Sequence, residues 1–292
     1  MKGIILAGGT GSRLWPLTKT VSKQLLPIYD KPMIYYPLST LMLANIKDIL
    51  IVTTPQDSED FKRLLGSGDS LGISISYATQ PKPEGIAQAL LIAADFIAGD
   101  EVALILGDNI FYGPGLGRSL MEISVVKGAT IFGIKVQDPE RYGVIEISDT
   151  GKPISLEEKP SFPKSNIAVP GLYFFDASVL ERTETVTRSA RGEYEITSVI
   201  STYMSDDLLS VRKLNEGTIW MDCGTVQTMN EAINFVKTIE ERHDSKIGCI
   251  EEVAWRQGWI DTDDLIAQGR LYGANEYGQY LVKIAVSELK DK

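Results

Sequence analysis

The first hundred residues alternate between short apolar runs and segments whose apolar residues recur at helical spacing. Short apolar runs that end at glycine, proline or polar residues are typical of buried strands, and a repeat of three to four residues is typical of helices. The predicted strands are Gly3–Leu6, Ile49–Thr53, Ile73–Tyr77 and Val102–Leu106. The predicted helices are Pro32–Ala44, Glu59–Leu65 and Glu84–Ile97. This alternation predicts a mostly parallel sheet with helices on both faces.

The second half of the chain is richer in strand patterns. The predicted strands are Thr130–Val136, Val144–Ser148, Ile154–Lys159 and Ile167–Phe175. An apolar stripe predicts a helix over Thr225–Arg242, and short helical patterns with polar turns follow from Cys249. The sequence therefore predicts an α/β fold: a Rossmann-like, mostly parallel but mixed central sheet, a smaller β-rich part and a C-terminal helical appendage.

Composition narrows the range of partners. The chain has 292 residues, is 43% hydrophobic and carries a formal net charge of −10, which disfavours a nucleic-acid polymer but allows a small phosphate ligand held by local cations. Two cysteines are too few for a disulfide framework, and no apolar run reaches the length of a membrane span. With no signal-peptide pattern at the N-terminus, we expect a cytoplasmic protein without a membrane partner.

A glycine-rich turn follows the first predicted strand. Its glycines are Gly8, Gly9 and Gly11. Glycines allow backbone N–H groups to converge on an anion, and Arg13 and Lys23 add positive charge directly after the turn. A glycine turn alone is equally consistent with a purely structural role. The two cations after it favour a site for nucleoside triphosphate.

Two other phosphate-binding motifs do not fit this turn. A P-loop requires Gly-Lys-Ser/Thr, whereas Gly11 is followed by Ser12 and Arg13. The dinucleotide fingerprint requires a small residue where this chain has Leu14. This second mismatch disfavours a nicotinamide oxidoreductase.

Two aspartates are candidate metal ligands. Asp108 and Asp222 each end an apolar, strand-like segment and lie next to or near glycine. Mg²⁺ commonly takes one or two protein carboxylates and completes its coordination with water and phosphate oxygens. The alternative is that each aspartate only stabilises a turn through its own backbone.

Two further segments carry candidate binding groups. Glu158 and Lys159 end a predicted strand and could bind sugar hydroxyls and a phosphate, although such charges are often only a solvated cluster. Gln80 precedes a stiff proline-rich turn that contains Gly85. Its amide could read the edge of a base, and the alternative is a simple loop before a helix.

Other chemistries have weak support. His243 is the only histidine and lies in a charged segment, so neither a histidine metal cluster nor a Ser-His-Asp triad is credible. Cys223 is expected to be a small buried filler rather than a nucleophile.

With these residues assembled, the chain resembles the sugar-phosphate nucleotidylyltransferases, and within them the thymidylyl branch. The resemblance covers almost the whole chain in family order. The matching stretches are Leu6–Leu14, Ser22–Pro27, Asp30–Pro37, Gln80–Pro81, Gly85–Ala89, Leu106–Asn109, Asp138–Val144, Ser155–Pro160 and Trp220–Thr225. Single motifs are shared by the whole family, whereas Ser22-Lys23-Gln24 is typical of the thymidylyl branch.

The resemblance implies a reaction and a set of roles. The expected reaction is Mg²⁺-dependent and converts dTTP and glucose 1-phosphate to dTDP-glucose and diphosphate, the first step towards dTDP-deoxysugars such as rhamnose. The implied catalytic residues are Arg13, Lys23 and Lys159. The implied nucleotide-binding residues are Gly8, Gly9, Gly11, Ser12, Arg13, Lys23, Gln24, Gln80, Gly85 and Asp108. The implied sugar-phosphate residues are Tyr142, Gly143, Glu158, Lys159 and Val169, and the implied Mg²⁺ ligands are Asp108 and Asp222.

The resemblance also implies an organisation of the chain. Residues 1–240 would form the core, with a nucleotide-binding half over 1–110 and a sugar-phosphate-binding half over 111–240. Residues 241–292 would form the appendage at a subunit interface of a homotetramer, a dimer of dimers. By analogy the family carries a second nucleotide-sugar site at that interface for allosteric feedback inhibition.

This chain departs from the family pattern at several positions. Ser12 stands where threonine is common, Trp15 and Val226 where histidine is frequent, and Pro170 where threonine is frequent. Gly117 and Arg118 differ from the common residues in the segment associated with feedback. Two alternatives stay open: a sister enzyme using UTP or another sugar phosphate, and a catalytically silent nucleotide-sugar-binding regulator. The silent regulator is disfavoured because both cations and both aspartates are present.

Overall fold

A computed structural model describes residues 1–123, 127–214 and 217–291. The strands are β1 (Lys2–Ala7), β2 (Pro27–Ile28), β3 (Lys31–Pro32), β4 (Asp48–Thr53), β5 (Ser74–Thr79), β6 (Val102–Leu106), β7 (Asn109–Tyr112), β8 (Ala129–Lys135), β9 (Gly143–Ile147), β10 (Pro153–Glu158), β11 (Ile167–Val169), β12 (Leu172–Phe175), β13 (Leu209–Lys213) and β14 (Ile219–Asp222). The helices are α1 (Tyr35–Leu43), α2 (Ser58–Leu65), α3 (Gln88–Ile92), α4 (Ala94–Ile97), α5 (Leu116–Met121), α6 (Val179–Glu184), α7 (Ile196–Ser205), α8 (Val226–His243), α9 (Ile250–Arg256), α10 (Thr262–Leu271) and α11 (Glu276–Asp291).

Ten strands form one central sheet in the order β10-β9-β11-β8-β12-β6-β1-β4-β5, and β13 also pairs with β8. The pairs among β6, β1, β4 and β5 are parallel. The pairs that β12, β11, β9 and β10 make are antiparallel. The sheet is therefore mixed, as predicted, and it runs without a break from strands of the first 110 residues to strands of the next part through the β6–β12 pair.

Helices cover both faces of this sheet because successive strand residues point to opposite sides. Ile5 of β1 lies in an apolar cluster with Leu38 of α1. Its neighbour Ile4 lies in a second cluster with Leu90 of α3. All four side chains are fully buried. The predicted α/β fold class is confirmed by this arrangement.

Three predicted elements begin later or are interrupted in the structure. The first predicted helix begins at Tyr35 rather than Pro32, because Pro32 belongs to the short β2–β3 hairpin. The predicted helix Glu84–Ile97 is two short helices, α3 and α4, which begin only at Gln88. The predicted strand Ile167–Phe175 is broken between Val169 and Leu172, where Pro170 cannot donate to a ladder.

The C-terminal helices α9–α11 pack against the first half of the chain. The side chain of Gln257 donates to the carbonyl of Met42 at 3.2 Å, and Gln268 donates to the carbonyl of Ser70. Leu265 and Leu281 are fully buried in the same apolar cluster as α1. Within the described ranges, no helix combines the length and the apolarity that crossing a membrane requires.

Candidate active site

The glycine turn lies at the carboxyl edge of the parallel strands. β1 lies between β4 and β6 and ends at Ala7, so the turn that follows meets the segment that follows β6. Gly9 and Gly11 have φ values of 93° and 58°, a left-handed region that favours glycine. A Cβ at Gly8 would lie 2.7 Å from Oε1 of Gln80, so the Gln80 side chain lies close against the glycine turn.

The two predicted acidic ligands come together although 114 residues separate them in sequence. Asp108 follows β6 directly, and Asp222 ends β14. The antiparallel β7–β14 pair places Asp222 opposite Asn109, and the backbone N–H of Cys223 donates to the carbonyl of Asp108 at 2.9 Å. Lys23 forms a short ion pair with Oδ2 of Asp108. The structure therefore joins the aspartate pair to Lys23, the second of the two cations predicted to bind phosphate.

The aspartates have opposite pKa shifts. Burial alone would raise the pKa of Asp108, but the charge of Lys23 and hydrogen bonds from Lys23 and Asn109 hold it below the ordinary value. For Asp222, burial and the negative charge of Asp108 raise the pKa to about 6, only partly offset by Lys23 and Arg13. Two partly buried carboxylates that repel each other form an environment that a bound divalent cation would relieve.

The donor set fits Mg²⁺ rather than a metal with an all-protein cage. In the described parts of the chain, no group of three or more His, Cys, Asp and Glu side chains is placed to hold a metal ion. Two carboxylates are enough for Mg²⁺, which keeps several waters and takes further oxygens from substrate phosphates. Asp108 and Asp222 are therefore the residues that could hold it.

Arg13 approaches the aspartate pair from the glycine turn. It lies in the single turn of 3-10 helix Ser12–Leu14, whose apolar Leu14 is fully buried while Arg13 stays exposed. A Cβ at Gly224 would lie 2.7 Å from Nη2 of Arg13 and 3.1 Å from Oδ1 of Asp222. The guanidinium thus lies against Gly224 and close to Asp222, with Lys23 on Asp108.

Asn109 connects Asp108 to Trp220 and Gly171. The sequence alone suggested no role for it. Its Nδ2 donates to Oδ1 of Asp108 at 3.0 Å. Its Oδ1 accepts from Nε1 of Trp220 at 2.6 Å and from the backbone N–H of Gly171 at 3.0 Å. The sequence signal that could have identified Asn109 is its position directly after Asp108, at the end of an apolar strand. Trp220 also packs edge-to-face on Tyr142, with ring centroids 4.9 Å apart.

The five predicted sugar-phosphate residues share one small region of the antiparallel part of the sheet. Gly143 pairs with Glu158 on one side and with Val169 on the other. The backbone N–H of Lys159 donates to the carbonyl of Tyr142 at 3.0 Å. Burial raises the pKa of Glu158, and the charge of Lys159 opposes that effect. A carboxylate acceptor and a cation therefore face the same space.

A second cation that sequence analysis missed borders this region. Arg191 Nη1 lies 3.5 Å from Oε1 of Glu158 and 3.6 Å from Oε1 of Glu195. No strand or helix pattern surrounds Arg191, so only the tertiary fold brings it near Glu158.

Of the predicted base-binding residues, Gln80 borders a cavity beside the glycine turn. Gln80 follows β5, is 4% exposed and borders a cavity of about 400 Å³. The cavity also contacts Gly9, Lys23 and Pro81. Gln24 is instead turned inward, 2% exposed, and accepts from the hydroxyl of Ser22 at 2.7 Å. The glycine turn and Gln80 thus border the same cavity, and the side-chain oxygen of Gln80 lies close to Gly8.

The remaining candidates have structural positions. Cys223 is fully buried, and burial raises the pKa of its thiol, which disfavours a nucleophile. His243 is exposed in the last turn of α8.

Comparison with known proteins agrees with this geometry. The profile of the family described as nucleotidyl transferase matches residues 2–239. A curated Mycobacterium tuberculosis protein named glucose-1-phosphate thymidylyltransferase is 54% identical over 97% of this chain and 99% of its own length. The protein of the same name from Mycolicibacterium smegmatis is 55% identical with the same coverage. A Bacillus anthracis crystal structure with sucrose, provisionally assigned the same name, is 41% identical, with a TM-score of 0.74 over 80% of this chain and 94% of that one.

Proposed function

The chain belongs to the nucleotidyl transferase family, and on this premise we propose that it is a glucose-1-phosphate thymidylyltransferase. The family resemblance predicted from the sequence is confirmed. The reaction would convert dTTP and α-D-glucose 1-phosphate to dTDP-glucose and diphosphate. The observation that carries the proposal is the convergence of Arg13 and Lys23 on the carboxylate pair Asp108 and Asp222, beside the glycine turn.

The chemistry requires positioning and charge rather than a general base. A sugar-phosphate oxygen is already anionic at neutral pH, so the obstacle is bringing two polyanions together and stabilising charge as it develops. Lys23 would offset charge on the α-phosphate, and Arg13 would stabilise the leaving diphosphate. Lys159 would orient the attacking phosphate. Its side chain, 45% exposed and 4.0 Å from Glu158, is free enough to reach a ligand.

Magnesium dependence is part of the proposal. Asp108 and Asp222 would hold the ion, which when bound supplies positive charge to the triphosphate. The raised pKa of Asp222 supports this assignment, since the folded protein alone leaves the carboxylate pair poorly compensated.

The sugar would lie between Glu158 and Trp220. Glu158 is an acceptor for hydroxyl groups, and the Tyr142–Trp220 ring pair provides an apolar surface against which a sugar ring can pack. Product made here would enter dTDP-deoxysugar synthesis such as that of rhamnose, in the cytoplasm.

Feedback inhibition through a second site is also proposed. A cavity of about 430 Å³ is bordered by Gly117 and by Lys246 and Arg256 from the C-terminal part. Lys246 is paired with Asp30 and Glu240, and Arg256 with Glu252, so a diphosphate would bind by competing with these carboxylates for the two cations. The two cations support an inhibitory nucleotide-sugar site on those terms. Replacing Arg256 by Ala should weaken inhibition by dTDP-glucose and leave uninhibited turnover near the wild-type value; equal inhibition of both proteins would contradict this site.

The proposed function is tested by diphosphate release with a panel of dTTP, UTP, dCTP and ATP, each with glucose 1-phosphate or another sugar 1-phosphate. We expect dTTP with glucose 1-phosphate to be the best pair, and removal of Mg²⁺ to abolish the reaction. Partial use of UTP is expected, because the methyl group of thymine is worth only about 1 kcal/mol. Preference for UTP would support the sister enzyme, and no release with any pair would support the silent regulator.

A further inference from the structure

A short chain of hydrogen-bonded side chains leads away from Gln80, at the edge of the cavity beside the glycine turn. It consists of Gln80, Gln88 and Glu84 and is called the amide relay below. Nε2 of Gln80 donates to Oε1 of Gln88 at 2.7 Å. Nε2 of Gln88 donates to Oε2 of Glu84, also at 2.7 Å. Beyond it, Oε1 of Glu84 pairs with Nη2 of Arg188 at 2.7 Å.

The carboxylate of Glu84 sets the direction in which hydrogen bonds are donated along the amide relay. An ionised carboxylate only accepts hydrogen bonds, so Gln88 must present its NH₂ group to Glu84 and its oxygen to Gln80. Gln80 must then present its NH₂ group to Gln88. Two backbone groups favour the same direction: the N–H of Glu84 donates to Oε1 of Gln88 at 3.4 Å, and the carbonyl of Gly85 accepts from Nε2 of Gln80 at 3.3 Å.

The oxygen of Gln80 is left for the cavity. A Cβ at Gly8 would lie 2.7 Å from this Oε1 atom, so the oxygen points to the glycine turn. In the described ranges both hydrogen bonds of the Gln80 side chain are made by its NH₂ group, and no buried side-chain polar atom lacks a partner. Oε1 of Gln80 is therefore an oriented acceptor that is open to a ligand.

We propose that Glu84 and Gln88 are specificity-determining positioning residues, which fix Gln80 as an acceptor and so select a base with an N–H donor at its pairing edge. This inference rests on the proposed use of dTTP. Thymine attached to deoxyribose has one N–H donor, at N3, and that group is therefore the partner of Oε1 of Gln80. Uracil presents the same donor. Cytosine has an acceptor at N3 and leaves the Gln80 oxygen facing another acceptor, which is costly in a buried site.

The matched pair of variants for this proposal is Glu84→Gln and Arg188→Met. A glutamine at 84 can donate as well as accept, so the charged anchor is lost and only the two long backbone hydrogen bonds, at 3.3 and 3.4 Å, still favour the present direction. Gln80 can then also present NH₂ to the base. Arg188→Met removes the same ion pair but keeps the carboxylate and therefore the direction. The measurement is the Kd of dTTP and of dCTP, with Mg²⁺ and without sugar phosphate, by calorimetry.

We expect Glu84→Gln to lower the ratio of the dCTP and dTTP dissociation constants about tenfold, or ~1.4 kcal/mol. Arg188→Met should keep the wild-type ratio. An unchanged ratio in Glu84→Gln, or an equal fall in Arg188→Met, would overturn the role of the amide relay. If Glu84→Gln does not fold, Gln88→Met should lower the ratio and Gln88→Glu, which still accepts from Gln80, should keep it; equal ratios in those two variants would overturn the proposal. A wild-type protein that does not bind dTTP would instead contradict the proposed function.

Discussion

At the scale of single residues, the decisive feature is charge compensation between the ends of distant strands. Asp108 is buried beside a cation, whereas Asp222 is half-buried beside Asp108 and has its pKa raised to about 6. The ionised form of Asp222 therefore lowers the free energy of unfolding of the metal-free protein. Such a pair is typical of sites where function rather than folding determines the residue type.

The first prediction concerns the stability of the metal-free protein. Between the ordinary pKa near 3.8 and the folded-state pKa of about 6, the folded protein binds more protons at Asp222 than the unfolded chain, so the free energy of unfolding falls as pH rises through this window. At about pH 7.5, Asp222→Asn should therefore raise it by about 2 kcal/mol, and the gain should be small near pH 4. Urea unfolding with a chelator measures both. A variant less stable than the wild type at about pH 7.5 would contradict the argument.

The second prediction concerns catalysis. Arg13→Ala and Asp108→Asn should each lower kcat by about 10²-fold or more, because each removes an interaction that is strongest in the transition state. The control is Lys152→Ala, which removes only an exposed ion pair with Asp207. Steady-state diphosphate release measures the effect. A folded Arg13→Ala enzyme with wild-type kcat would refute the role assigned to Arg13.

At the scale of elements, part of the site lies in the short connection between the end of β14 and the start of α8. The β7–β14 pair holds Asp222 against Asn109, and α8 begins directly after the following turn. Thr225 caps α8: its hydroxyl accepts from the backbone N–H of Thr228, and the Thr228 hydroxyl accepts from the backbone N–H of Thr225. This capping box fixes the point at which the chain leaves the site.

The third prediction therefore concerns the cap. Thr225→Ala should lower the free energy of unfolding by about 1 kcal/mol, since it leaves helix N–H groups unpaired. Thr238→Ala is the matched control, because the exposed Thr238 hydroxyl bonds only to a carbonyl within the same helix, that of Asn234. Chemical denaturation of both variants checks the difference. Equal stability of the two would show that the cap contributes nothing.

The helix predicted over Glu84–Ile97 has different bounds in the structure because of a contact with another segment. Helical spacing over Glu84–Ile97 predicted one helix, but the backbone of Tyr194 bonds to both the Glu84 carbonyl and the Ala87 N–H. A Cβ at Gly85 would lie 2.3 Å from the Tyr194 carbonyl oxygen. This contact with a distant segment overrides local propensity and leaves Glu84 and Gln88 placed behind Gln80.

At the scale of the whole molecule, the C-terminal part combines a buried inner side with exposed apolar side chains. Leu271 is 87% exposed at the end of α10, and Tyr272 and Val286 are 39% and 37% exposed. Exposed apolar groups of this kind are common at subunit contacts. They support the proposed homotetramer.

The fourth prediction is that the protein has a mass in solution of roughly four times the 32.1 kDa of one chain. Leu271→Asp should reduce it by placing a charge in the contact, whereas Lys152→Asp, at an exposed ion pair, should not. Light scattering after size-exclusion chromatography measures the mass. A wild-type monomer would contradict the tetramer, and an unchanged Leu271→Asp assembly would exclude this surface.

The sequence by itself determined the family and the α/β class, and it placed a candidate phosphate-binding turn directly after the first strand. Those conclusions rest on local signals: apolar periodicity, a glycine turn after β1, and charges directly after it. The sequence paired Asp108 with Asp222 only through the family resemblance. Tertiary structure alone decided that the β7–β14 pair brings them together, that Arg191 reaches Glu158, and that Gln80 faces the cavity through its oxygen. Strand pairing and hydrogen-bond direction depend on residues far apart in sequence, so no local pattern encodes them.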